Sequence, residues 1–401
     1  MHGLFLLCSL VAGLISHNQV PLFADHYAVA DQLLSEMTLD EKIAQTLLVR
    51  YPDDATAASV LEKYQFGGYI FFAKDFQGKS AVEVRQMTES LQKVAKVPIL
   101  TAVDEEGGLV ARVSSNQKLR KERFASPREL YAAGGLSLVR EDTLEKSRLL
   151  SSLGLNLNLS PVVDVSTDPA DYIYNRSLGE DAKITAEFAQ TVIDASHTFN
   201  AELTAQNPEK PESHETPTVS YTLKHFPGYG NNLDTHHGTS LDRRSLVDLL
   251  SIDLQPFRAG LTTGAEAVLV SHNIVTALDP VRPASLSPAV HKLLTSVLGF
   301  TGVIITDDIA MGAIANPAAI SSQNLANPSS ENSADPENLK ILSENPAVQA
   351  VLADNHLIIT TDYLDSLTAI KSALQRGVLD EAQIDRMARQ ILAWKSYKGL
   401  L

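Results

Sequence analysis

Apolar residues along this chain gather into short runs rich in β-branched and aromatic side chains, each followed by an amphipathic stretch of helix length. Eight runs are legible: Thr46–Arg50, Gly68–Phe72, Ile99–Val103, Leu155–Val165, Val219–Phe226, Ala267–His272, Val303–Asp308 and Leu357–Thr361. Their apolar character is continuous rather than alternating, which predicts strands of a parallel sheet covered on both faces. Eight strand–helix units in 401 residues predict an α/β fold, a single-domain (β/α)8 TIM-type barrel. An open doubly wound sheet is the alternative, but no Gly-x-Gly-x-x-Gly follows the first strand.

Between the strands, Thr38 with Glu41 three residues on reads as a capping box opening a helix, and Asp31–Met37 is helical in pattern. Glu381–Lys395 carries apolar residues at helical spacing and is expected to pack on the barrel's outer face. Two segments, at about 201–217 and 315–346, lack periodicity and read as loop insertions. The second leaves the seventh strand, where it is placed to act as a lid. The barrel domain is read as 25–401. Ahead of it, Leu4–Ile15 is an apolar run too short to span a bilayer. It fits either a signal peptide or an N-terminal apolar helix within residues 1–24. The first reading makes the protein extracytoplasmic or secreted, the second cytoplasmic.

Composition adds three bounds. With 44% hydrophobic and 20% charged residues the chain is ordinary globular protein. A net charge of −15 argues against nucleic acid as partner, because binding phosphates needs a basic face. The single cysteine, Cys8, excludes an internal disulfide and a cysteine metal site.

Charge collects at the strand ends. The third strand runs into Asp104-Glu105-Glu106, the fourth into Asp164, the fifth ends in Lys224-His225, the sixth in Ser271-His272-Asn273 and the seventh in Asp307-Asp308. Barrel active sites lie at the C-terminal strand ends, so these groups are expected to converge on one mouth. Asp307 has the placement of a nucleophile toward an anomeric carbon; capping the next helix is the alternative for it or Asp308. In Asp234-Thr235-His236 a carboxylate precedes an imidazole in a glycine-flanked loop. There it can orient the ring for general acid/base work. His225, Asp234, His236 and His237 are also candidate metal ligands, although no ligand spacing supports that. Asp104, Arg112, Arg176, Lys224 and His225 supply donors and acceptors suited to sugar hydroxyls.

These segments resemble glycoside hydrolase family 3, in its single-domain β-N-acetylglucosaminidase (β-hexosaminidase) branch. The resemblance is carried by Met37–Ile43, Gly67–Phe72, Val103–Gly108, Leu155–Val165, Lys224–Gly228, Ser285–Pro288 and Leu298–Asp308, with the Lys-His-Phe-Pro-Gly and Thr-Asp-Asp segments the most specific. It implies a retaining exo-enzyme that removes terminal non-reducing β-linked N-acetylglucosamine, with peptidoglycan fragments the expected source. Asp307 would be the nucleophile and His236, paired with Asp234, the acid/base. Asp104, Arg112, Arg176, Lys224 and His225 would hold the sugar, and no cofactor or metal is needed. A phosphorylase, a β-glucosidase and a non-catalytic carbohydrate-binding barrel are the alternatives. Two departures from the family pattern stand out. Tyr229 takes the place of a frequent His, and Ala353-Asp354-Asn355-His356 replaces Ala-Gly-Asn-Asp before the last strand, where it would alter the strand-eight side of the pocket.

Overall fold

The computed structural model describes residues 20–179, 181–206, 216–230, 240–311, 314 and 344–401. The run Leu4–Ile15, Cys8, Asp234, His236, His237 and the bulk of both insertions (207–215 and 315–343) lie outside the described residues. Eight parallel strands form one sheet: β1 (Leu47–Arg50), β2 (Gly68–Phe71), β3 (Leu100–Val103), β4 (Leu157–Asn158), β5 (Ser220–Phe226), β6 (Ala267–Val270), β7 (Val303–Thr306) and β8 (Ile358–Thr360). Neighbours in sequence are neighbours in space. β8 pairs back onto β1 with Leu47 opposite Ile358, and a bridge between Ile305 and Leu357 joins β7 to β8. The predicted barrel is therefore observed.

Strand alternation explains why the runs are apolar on both sides. Leu48, Ile70, Leu100, Leu157, Leu269, Val303, Ile305 and Ile359 belong to the cluster that fills the barrel, whereas Leu47, Val49, Tyr69, Phe71, Val268 and Ile304 pack under the surrounding helices. β4 is shorter than the run Leu155–Val165 because Pro161 has no N–H for a ladder. Pairing resumes past it, where Val163 N–H donates to Lys224 O at 2.8 Å. Thr38 and Glu41 close the expected capping box around helix Leu39–Gln45. The helix Ala182–Gln206 continues through Ala201–Gln206, so those residues, read as loop, are helical. Among the described residues no helix is long and apolar enough to cross a membrane.

The last helix, Glu381–Tyr397, departs from the expected place. Its first half, with Ile384, Met387 and Ala388, joins the layer outside the sheet. Its second half, Ile391–Trp394, enters the cluster that fills the barrel and closes the end opposite the strand C-termini, alongside Phe23 and Ala30. Polar groups on this half reach the strand starts. Trp394 Nε1–H donates to Glu266 at 2.7 Å, Lys395 Nζ to Gln45 at 2.7 Å and Lys398 Nζ to the Asn156 carbonyl at 2.9 Å. Helical periodicity shows that a stripe is buried without showing what it is buried against.

Burial depresses two of these amines, Lys395 to about 7 and Lys398 to about 8, from an ordinary 10.5. The folded chain thus gives up protons that the unfolded chain keeps until about 10.5, so stability rises with pH across that window. Urea melts at pH 7 and pH 9.5 are expected to show this rise, and Lys395→Met is expected to reduce it; an unchanged rise would place the titration elsewhere.

Candidate active site at the strand C-termini

The C-terminal strand ends surround a cavity of about 470 Å³, within the usual range for small-ligand sites. Asp104, Arg112, Arg176, Lys224, His225 and Asp307 all line it. Six of the eight residues singled out from the sequence are therefore brought together; the other two, Asp234 and His236, lie outside the described residues, between Gly230 and Ser240. Aliphatic and aromatic walls come from Ile70, Phe72, Leu159, Tyr172, Tyr229 and Ile359.

The charged floor is set by local geometry. After β3 the chain stays extended, so Asp104 and Glu106 share a face and Glu105 takes the other. Glu106 is buried and bridges two cations. It accepts a two-pronged contact from Arg176 (Nε–Oε2 3.0 Å, Nη2–Oε1 2.8 Å) and lies 2.6 Å from Lys224 Nζ. Lys224 also donates to Asp104 Oδ1 at 2.6 Å. Burial alone would raise the Glu106 carboxyl; Arg176 and Lys224 instead hold it well below the usual carboxylate range. Burial likewise opposes the Lys224 charge, and Asp104 and Glu106 more than restore it. Glu105, facing away, accepts the Val113 N–H at 2.6 Å and so sets the backbone next to Arg112.

A register shift in β5 between Leu223 and Phe226 breaks the alternation there, so the adjacent side chains of Lys224 and His225 both reach the cavity. His225 is fixed from behind by buried Asp164, which accepts its Nδ1–H at 2.8 Å and the Tyr229 N–H at 2.6 Å. Arg176 Nη2 stands 3.4 Å from the other ring nitrogen. Tyr229 packs edge-on to His225 at 5.5 Å between centroids.

Asp307 and Asp308 diverge electrostatically. For Asp307 burial acts upward, but the imidazoles of His272 and His225, the Asp308 N–H and the Lys224 ammonium outweigh it and hold the carboxyl below its ordinary value. Burial pushes Asp308 up. Two neighbouring carboxyls thus differ in how readily they carry charge, and Asp307 is the one whose surroundings favour it. His272 sits beneath them, its Nε2–H donating to the Asp308 carbonyl at 2.9 Å and its Nδ1 in a hydrogen bond of 2.7 Å with the Ser285 hydroxyl.

Three cavity residues, Arg50, Phe72 and Tyr172, were not singled out from the sequence; Glu106 and Asp164 were read there only as strand-end charges, and the structure sets them behind the lining, where they hold Arg176, Lys224 and His225. The two-residue spacing from Asp104 was the available signal for Glu106. Arg50, at the end of β1, stacks on Phe72 at 4.3 Å, and Arg112 lies 5.5 Å from the same ring. The change before β8 does not reach the pocket. Neither Asn355 nor His356 lines it: Asn355 is buried and bonded to Ser285 O and His291, and His356 accepts the Ile304 N–H at 3.0 Å. Burial keeps His356 neutral, its pKa lowered to about 3. Ile359 is the β8 residue that meets the cavity. Among the described residues no group of three or more His, Cys, Asp and Glu side chains is placed to hold a metal ion.

A closed parallel barrel with converging charges at its C-terminal mouth defines a barrel enzyme with a carboxylate-rich, sugar-sized site. The sequence matches the glycosyl hydrolase family 3 N terminal domain over residues 38–394, and the chain belongs to that family of glycoside hydrolases. It is 31% identical over 251 residues to a β-hexosaminidase of Stenotrophomonas maltophilia strain R551-3, covering 61% of this chain and 68% of that protein. It superposes on a family 3 β-N-acetylglucosaminidase from Paenibacillus sp. str. FPU-7 with a TM-score of 0.73 and 27% identity. That match covers 91% of this chain but 63% of that one, so the chain spans less than two thirds of that structure. A family 3 member from Mycobacterium smegmatis str. MC2 155 gives 0.70 and 26%, covering 90% and 98%.

Glu106→Gln would leave Arg176 and Lys224 without their shared counter-charge. Removing one partner of a buried pair costs on the order of 3–5 kcal/mol, and a loss of that order is expected in denaturant melts at pH 7. The native carboxyl lies below its ordinary value of 4.5, so its stabilisation is present above that pH and lost as pH falls. The gap between wild type and variant is accordingly expected to narrow in acid.

Proposed function

We propose that this chain is a retaining exo-β-N-acetylglucosaminidase, with peptidoglycan-derived fragments as its expected substrates. The observation that carries the reading is Asp307, a carboxylate kept ionised by surrounding imidazoles and Lys224 while it lines the sugar-sized cavity. Relatives named β-hexosaminidase and β-N-acetylglucosaminidase support the N-acetyl sugar over glucose.

In this mechanism Asp104, Arg112, Arg176, Lys224 and His225 bind the terminal sugar through its hydroxyl and amide groups. An Asp307 carboxylate oxygen attacks the anomeric carbon, the glycosidic C–O bond breaks, and His236 gives its proton to the departing oxygen. Asp234 stabilises the imidazolium before that transfer. Water then gives a proton to His236 and attacks the same carbon, releasing Asp307 and the sugar with net retention. Proton transfer by a positioned group contributes about 10²–10⁴-fold. No step draws on a metal or cofactor.

The test compares release of 4-nitrophenol from its β-N-acetylglucosaminide and β-glucoside by wild type and Asp307→Ala. Preference for the N-acetyl substrate, abolished in the variant, is the expected result. Preference for the glucoside would overturn the sugar assignment, and full activity in the variant would overturn the nucleophile.

A further inference from the structure

The chain enters and leaves residues 231–239, which contain Asp234 and His236, through one ionic cluster. The Arg244 guanidinium forks onto Asp242 (Nε–Oδ1 3.0 Å, Nη2–Oδ2 2.6 Å), and its Nη1 donates to Asp253 at 2.6 Å. Nη2 also donates to the Gly228 carbonyl at 3.3 Å. One side chain thus ties the entering backbone at Gly228 to the Asp242 carboxylate on the leaving side, and anchors both to Asp253.

The entering backbone lies flush against this cluster. At Gly228, φ +123°, a Cβ would fall 2.4 Å from Asp253 Oδ1; at Gly230, φ +55°, it would fall 2.4 Å from Arg244 Cζ. No side chain fits at either position without displacing the ion pair. On the leaving side, Leu241–Asp242 pairs in parallel with Ile274–Val275, and the Ser240 carbonyl accepts the Ile274 N–H at 2.9 Å. Asp242 and Asp253 are both buried, and burial lifts the Asp253 carboxyl to about 6 despite Arg244. None of Arg244, Asp242 and Asp253 lines the cavity, so the cluster is not built to touch substrate.

We propose that Arg244 is a positioning residue for the acid/base step: its fork fixes the spacing and direction of the two chain ends between which Asp234 and His236 lie. The inference rests on the reading of His236 as acid/base. Proton transfer is steep in distance, and a displacement of about 1 Å can cost on the order of 100-fold. Loosening the fork therefore slows bond cleavage only where the leaving group must be protonated.

The experiment measures kcat/KM on 2,4-dinitrophenyl and phenyl β-N-acetylglucosaminides for wild type, Arg244→Met, Arg244→Lys and His236→Ala. The dinitrophenyl group departs without protonation. Arg244→Met is expected within about 3-fold of wild type on it and lower by about 10–100-fold on the phenyl glycoside. Lysine keeps the charge but not the fork, so Arg244→Lys is expected to restore part of that loss. Gly230→Ala pushes the guanidinium aside without removing a charge; it is expected to show the same selectivity and provides the test if Arg244→Met does not fold. Equal losses on both substrates, or none on either, would overturn the proposal. Selectivity in His236→Ala but not in the Arg244 and Gly230 variants would sink the clamp alone, whereas its absence from His236→Ala would sink the acid/base assignment and the proposal with it.

Discussion

A buried carboxylate shared by two cations holds this site together. Glu106 cannot stay ionised in a protein interior unless positive charge is brought to it, and neither Lys224 nor Arg176 can be buried charged without a counter-ion. The three come from separate parts of the chain: the segment after β3, the bulged end of β5, and the loop that follows Asp164. Satisfying the charges fixes all three segments together. The groups facing the cavity are oriented by one electrostatic requirement, and substrate does not have to organise them on arrival.

That requirement extends outward in two directions. Through Asp164 it fixes the His225 ring and the Tyr229 backbone, so replacing the family's frequent histidine by Tyr229 leaves the support for His225 intact through a main-chain bond. Through Lys224 it reaches Asp307, whose charge is favoured by the same ammonium that neutralises Glu106. The substitutions before β8 stand outside this network, since Asn355 and His356 bond to Ser285, His291 and Ile304 rather than to any group of it.

The barrel was legible because continuous apolar runs separated by helix-length segments admit few arrangements, and clustered charges at equivalent strand ends pointed to one mouth. Lys224 and His225 were readable from their place at a strand end, but that both face inward depends on a bulge that no residue type announces. Glu106 was hidden among three consecutive acids, although strand alternation separates it from Glu105 and joins it to Asp104. Arg50 gave no signal, since a single cation ending an apolar strand is usually a solvated edge. The inward turn of the last helix was not readable either, because its stripe carries the same periodicity whichever surface it meets.

The far end of the barrel bears on how the chain is made. Residues 390–398 bond to Gln45, Asn156, Glu266 and Thr301, at the starts of strands synthesised long before them. A growing chain thus carries strands whose lower rim has only the cover of Phe23 and Ala30 until residue 398 has left the ribosome. Domains ordinarily fold as units, and in this one the early sequence must wait for the late sequence, exposing apolar strand ends in the interval. Completion of the barrel floor therefore falls to Trp394, Lys395 and Lys398, which are made long after the strand starts they bond to.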